Sequence, residues 1–187
     1  VALATLCRVL PDHPNRSRWE NSVRLYADYL KTVAEYTAPY HMFPASIYSV
    51  DESNDPKFIE QVKNGIPLSE KFYLRRFPVW YDLRGNYGVL LSQARAVSSA
   101  ARLLKDESLR DLANRQFQWV VGLNPFCQST MYGEGHDFAP QYTATSGDIV
   151  GGLPVGVQTS RNEDIPFWAA DNCYNFKEIW VHPSSRW

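Results

Sequence analysis

Asn86-Tyr-Gly-Val-Leu-Leu-Ser-Gln-Ala-Arg-Ala-Val-Ser-Ser-Ala-Ala-Arg-Leu-Leu104, followed by Lys105-Asp-Glu-Ser-Leu109 and Arg110-Asp-Leu-Ala-Asn-Arg-Gln-Phe-Gln-Trp-Val-Val121, decides how the chain is to be folded. Val89, Ser92, Ala96, Ala100 and Leu103 recur three or four residues apart, which predicts a helix over 86–104 with a small-residue face suited to close helix contact. Asp106-Glu-Ser-Leu109 turns the chain. A second helix over about 108–121 presents Leu109, Leu112, Ala113, Phe117 and Val120 and stops before Gly122. Two helices joined by so few residues form an αα-hairpin.

Upstream, residues 1–10 read as the end of a helix stopped by Pro11 and the polar run Asp12-His-Pro-Asn-Arg-Ser17. A helix over 18–36 follows, with Ser17 and Glu20 placed as a capping box and Trp19, Val23, Tyr26, Leu30 and Val33 on one face. From Thr37 to Pro67 prolines and polar residues break the periodicity, and Tyr40-His-Met-Phe-Pro44 reads as an aromatic loop. The recurrence of helix, short turn, helix and long loop predicts an all-α chain: a partial (α/α)6 barrel, or six-hairpin toroid, with a loop-rich C-terminal segment over 122–187. Ile149-Val150 and Ile179-Trp-Val181 are its strand-like pieces.

Composition narrows the partners. With 187 residues, 44% hydrophobic and 21% charged, the chain suits one globular domain. A net charge of -1 offers no electrostatic basis for nucleic acid or an anionic membrane, and no run of eighteen apolar residues is present to span one. Arg75-Arg76 reads as a core-edge pair reaching solvent. Val1-Ala-Leu-Ala-Thr-Leu-Cys-Arg-Val-Leu10 lacks the basic start of a signal peptide and enters directly into a helical pattern, as if cut from something longer. Cys7, Cys127 and Cys173 show no CxxC spacing, which leaves them either free or, for Cys127 with Cys173, closed across the C-terminal loops.

The polar chemistry concentrates after Gly122. His13, His41, His136 and His182 are scattered without HExxH spacing, Gly133 and Gly135 lack a dinucleotide-loop context, and Ser146-Gly-Asp148 lacks that of a nucleophile elbow. No cofactor is implied. Met131-Tyr-Gly-Glu-Gly-His-Asp137 instead sets Glu134, His136 and Asp137 on a glycine-pinned loop, where carboxylates bind sugar hydroxyls, hold a structural calcium, act as acid and base, or merely cap their own turn. Glu178, in Phe176-Lys-Glu-Ile-Trp180, is either a proton donor or a structural ion-pair partner. Tyr132, Tyr142, Trp168 and Trp180 are candidate sugar-facing aromatics, because a flat ring beside polar groups matches a pyranose.

Trp119-Val-Val-Gly-Leu-Asn-Pro125, then Ser129-Thr-Met-Tyr-Gly-Glu-Gly135 and the Pro140-Gln141 loop, resemble the closing segment of glycoside hydrolase family nine, over residues 80–187. That resemblance implies a carbohydrate substrate, hydrolysis by inversion on an (α/α)6 barrel, and an extracellular or periplasmic setting. It makes residues 1–187 the C-terminal portion of a glycosidase-like catalytic domain whose remainder lies on the same or another chain. Tyr174-Asn-Phe-Lys-Glu178 looks like the family's acid motif with lysine replacing asparagine, which implies Glu178 as the acid, with Glu134 the second choice. No aspartate here inherits the water-activating role, and Gln141-Tyr-Thr-Ala-Thr145 replaces the family's histidine-arginine loop. Two other readings stay open: a polysaccharide lyase in which Tyr142 or His136 takes the proton and Arg161 neutralises a uronate, and a non-catalytic glycan-binding module.

Overall fold

The chain forms two pairs of helices, and what lies between and after them departs from the all-α expectation. The computed structural model describes residues 1–78, 85–142, 147–159, 163–168, 170 and 173–187. α1 (Ala2–Val9) and α2 (Arg16–Ala34) form the first pair, α4 (Tyr87–Leu104) and α5 (Glu107–Val120) the second. α4 is the hub, packing most extensively on α5 and also on α1 and α2. Lys105, in the left-handed region at φ 53°, closes α4, and Asp106 Oδ1 then caps α5 by accepting from the amides of Ser108 and Leu109.

The all-α barrel is overturned in the stretch read as broken loop. Residues 46–75 contain β1 (Ser46–Ser49), α3 (Pro56–Lys63), β2 (Ile66–Pro67) and β3 (Phe72–Arg75), and the strands pair antiparallel in the order β1-β3-β2. A second antiparallel pair joins β4 (Gln158–Thr159) to β5 (Pro166–Phe167). The result is a mixed α/β fold. Four residues are too few to display an alternating pattern, and Ser46 finds Arg75 only when the chain folds back across α3, so local periodicity carried no sign of the sheet.

Other local expectations also change. The capping box falls at Ser49 and Glu52 rather than at Ser17, because α2 starts at Arg16, before Ser17 can act as its cap. Glu20 instead pairs with Arg16 and Arg24 one turn to either side. In α4 the buried residues are Tyr87, Leu90, Leu91, Ala94, Val97, Ala100 and Ala101, so Ala100 of the expected face is in the core, whereas Val89 is 44% exposed and Ser92 and Ala96 are only half-buried. Ile149 and Val150 are exposed and unpaired into any strand, Val181 begins α7 (Val181–Ser184), and Ile179 makes one isolated bridge to Pro154. Cys127 and Cys173 are both free. Arg75 is completely buried, so only Arg76 fits the core-edge description.

The core gathers Leu30, Phe43, Leu74, Tyr87, Leu90, Leu91, Leu109 and Trp119 from the helices and sheet with Leu153 and Val157 from the C-terminal third. That third is docked by backbone pairing. The amides of Asn86 and Tyr87, at the start of α4, donate to the carbonyls of Val157 and Val155, which satisfies groups a helix start leaves without partners. Close approach explains the glycine at 156: its φ is +108°, and an added Cβ would lie 2.6 Å from Tyr87 Cγ.

Candidate functional site

Glu178 sits where three C-terminal segments meet. It follows α6 (Tyr174–Lys177) in extended conformation, at φ -63° and ψ 130°. Its carbonyl accepts from Val155, Tyr142 forms an isolated bridge to it, and the amide of Trp180 donates to Leu153. Residues 153–157 are in turn anchored to α4, so the backbone under the carboxylate is tied to the core. Glu178 Oε2 accepts from Trp180 Nε1 at 2.6 Å, a short bond that holds the two side chains together.

Lys177, next to Glu178, points elsewhere. It is 1% exposed, its Nζ donates to the carbonyl of Ala170 at 3.3 Å, and it lies 5.5 Å from the Trp168 ring centre. Trp168 therefore packs on the lysine, half-buried. Tyr142 meets Tyr174 edge to face at 6.1 Å. Among the sequence-selected residues the fold thus joins Glu178, Trp180 and Tyr142, with Trp168 on the far side of Lys177.

Trp180 leads into a cleft of about 540 Å³ whose walls include Tyr26, Tyr48, Ser92, Gln93 and His182. Trp180 is 40% exposed and Tyr26 43%. Burial, and then the neighbouring Tyr29, push the Tyr26 phenol above its ordinary value, so it stays a neutral hydrogen-bonding group. Gln93 Oε1 is buried without a hydrogen-bond partner among the described residues. None of Tyr26, Tyr48, Gln93 and His182 stood out as a site residue from its surroundings in sequence. Gln93 is the one of these on α4, next to Ser92 of its small-residue face, and Tyr26 belongs to the helix-spaced face of α2.

Glu134, His136 and Asp137 lie on a separate, exposed loop. Gly133 at φ 75° and Gly135 at φ 85° shape it. Asp137 Oδ1 accepts from Gln128 at 3.2 Å, and its carbonyl accepts from the Ser129 amide. Tyr132 is held within the same loop: its ring meets Phe138 at 5.1 Å, its carbonyl accepts from Gly151, and its hydrogen bond to Asp148 pushes its phenol pKa up. No hydrogen bond, ion pair or ring contact among the described residues links this group to Glu178. No group of three or more His, Cys, Asp or Glu there could hold a metal ion, so the considered calcium has no such cluster among the described residues. Arg161 lies outside the described residues. No described helix is long and apolar enough to cross a membrane.

No protein-family model matches this chain, and no curated protein or solved structure does.

Proposed function

We propose that this chain contributes the proton donor and aromatic cleft of a glycoside hydrolase, with Glu178 as the acid. The observation that carries the assignment is the 2.6 Å bond from the Trp180 indole to the Glu178 carboxylate, on a backbone tied to the core, with the same tryptophan forming a wall of the aromatic cleft. A carboxylate oriented by a ring that also meets the ligand is placed for proton transfer to a glycosidic oxygen. The resemblance of residues 174–178 to the acid motif of glycoside hydrolase family nine points to the same residue.

Inversion needs a second carboxylate roughly 6.5–9.5 Å from the acid, across the bond that breaks. No aspartate of this sequence matches the water-activating positions of that family, so we assign the base to the remaining part of the catalytic domain, on the same or another chain. An extracellular or periplasmic site of action follows from the same assignment. The test is Glu178→Gln in the complete polypeptide, with turnover followed on soluble β-glucan and on aryl β-glycosides. Loss of roughly 10²- to 10⁴-fold on the poorer leaving group is expected. Turnover within threefold of the parent would remove Glu178 from the mechanism, and unsaturated uronate ends in place of new reducing ends would establish a lyase.

A further inference from the structure

We propose that a second, smaller pocket, walled by Tyr40, Phe77, Trp119, Pro125 and Pro166 with Arg76 at its side, binds a compact ring bearing a carboxylate. The cavity is about 150 Å³, roughly five times the volume a water molecule occupies in the liquid, which suits one ring and not a chain of them. Its walls are aromatic: Tyr40 meets Trp119 edge to face at 5.4 Å, and Phe77 lies 6.2 Å from the same indole.

Two polar features point to the ligand. Trp119 is 2% exposed, yet its Nε1 is buried with no hydrogen-bond partner among the described residues. Buried donors are nearly always paired, so an acceptor brought by a ligand is the natural complement. Arg76 engages Asp164 through Nε at 3.1 Å and shares that carboxylate with Arg75 at 3.5 Å, so Asp164 supplies less than a full counter-charge to it. Its side chain is 38% exposed. A guanidinium fork matches the plane and charge of a carboxylate, and the aromatic walls suit the apolar face of the ring that carries it.

The walls come from four distant parts of the sequence, and a buried polar side chain holds each of three of them. Gln116 accepts from the Phe43 amide and donates to the His41 carbonyl, which fixes the 37–43 turn. Asp164 accepts from the amides of Arg76 and Phe77. Asn124 donates to the carbonyls of Trp119 and Gln128 and accepts from the amide of Phe126. Such a cavity is formed before any ligand arrives. Its own geometry carries the proposal, which is independent of the assignment of Glu178.

Indole N–H resonances of the purified protein report binding directly, the Trp119 signal being the one absent from Trp119→Phe. Glucuronate, glucose and benzoate are the probes. Glucuronate should shift the Trp119 signal saturably, glucose should do so at least tenfold more weakly, and raising salt from 0.05 to 0.5 M should weaken the acid several-fold. Arg76→Gln should weaken glucuronate about tenfold or more. Should that variant unfold, the comparison of glucuronate with glucose on the parent protein decides alone. Benzoate separates the sources: equal competition identifies any ring carboxylate, and failure to compete identifies a sugar acid. A Trp119 signal unmoved by both acids, or glucose binding as well as glucuronate, overturns the proposal. Loss of hydrolysis in Glu178→Gln with the Trp119 shift intact would separate the two sites.

Discussion

Replacing Asp164 by Asn tests how the C-terminal third is locked to the sheet. The Asp164 side chain is 2% exposed and accepts from the Arg76 amide at 3.0 Å, the Phe77 amide at 3.1 Å and Arg76 Nε at 3.1 Å, with Arg75 Nε at 3.5 Å. Arg75 is completely buried, with Nη1 on the Gln61 carbonyl and Nη2 on that of Glu163. Burial pulls its pKa down, and the charge of Asp164 opposes that pull. Asparagine would keep one acceptor oxygen and turn an NH₂ toward donors. At least two charge-assisted bonds, each contributing about 1.5–3 kcal/mol, are then lost, and a buried guanidinium is left without its carboxylate. The expected cost is about 3–5 kcal/mol, the range for breaking one side of a buried pair. Typical domains hold only about 5–15 kcal/mol in total. Urea unfolding followed by tryptophan fluorescence should show that loss at an unchanged slope, and the melting temperature should fall by roughly 6–20 °C. Adding Arg75→Met removes the uncompensated charge and should recover about 1–3 kcal/mol. An Asp164→Asn variant within 1 kcal/mol of the parent would refute this account of the network.

Three further outcomes are expected. Lys31 and Ser108, bonding the Asp106 side chain, hold its carboxyl down at about 2, so its contribution is present above about pH 4 and lost as pH falls toward 2. Because the pair is about one-third exposed, that contribution is roughly 1 kcal/mol, and Asp106→Asn should flatten this part of the stability profile by that amount. Gly156→Ala combines a φ of +108° with a contact of 2.6 Å to the buried Tyr87 ring, and should cost about 3–5 kcal/mol in the same unfolding assay. Trp180→Phe removes the donor to Glu178 while keeping a ring in the cleft. Under the proposed role of Glu178, turnover should fall about tenfold or more with little change in KM, whereas loss of cleft packing alone would raise KM instead.

Local sequence was enough for the two helix pairs, but not for α3, α6 or α7, whose stretches read as loop or strand. Spacings of three and four residues, Pro11, and the Asp106 turn predicted α1, α2, α4 and α5 close to their observed limits, because helix hydrogen bonds and caps join residues only a few positions apart. The same logic marked Glu178 and the 131–137 loop as polar chemistry, but not which of them the fold would bring beside an aromatic cleft. Every feature that decided the architecture joins residues far apart: Ser46 with Arg75, Asp164 with Arg76, Asn86 with Val157, Gln116 with Phe43. Strands of two to four residues have too short a period to announce themselves, and a buried arginine looks like a surface one until its carboxylate arrives from elsewhere. The face of α4 that meets the core was likewise settled by competition in three dimensions, where Leu90, Leu91 and Val97 remove more apolar surface from water than Val89, Ser92 and Ala96 would. Helices are local hydrogen-bonding patterns that a sequence can specify alone, while sheets, buried ion networks and clefts exist only once distant segments share the same space.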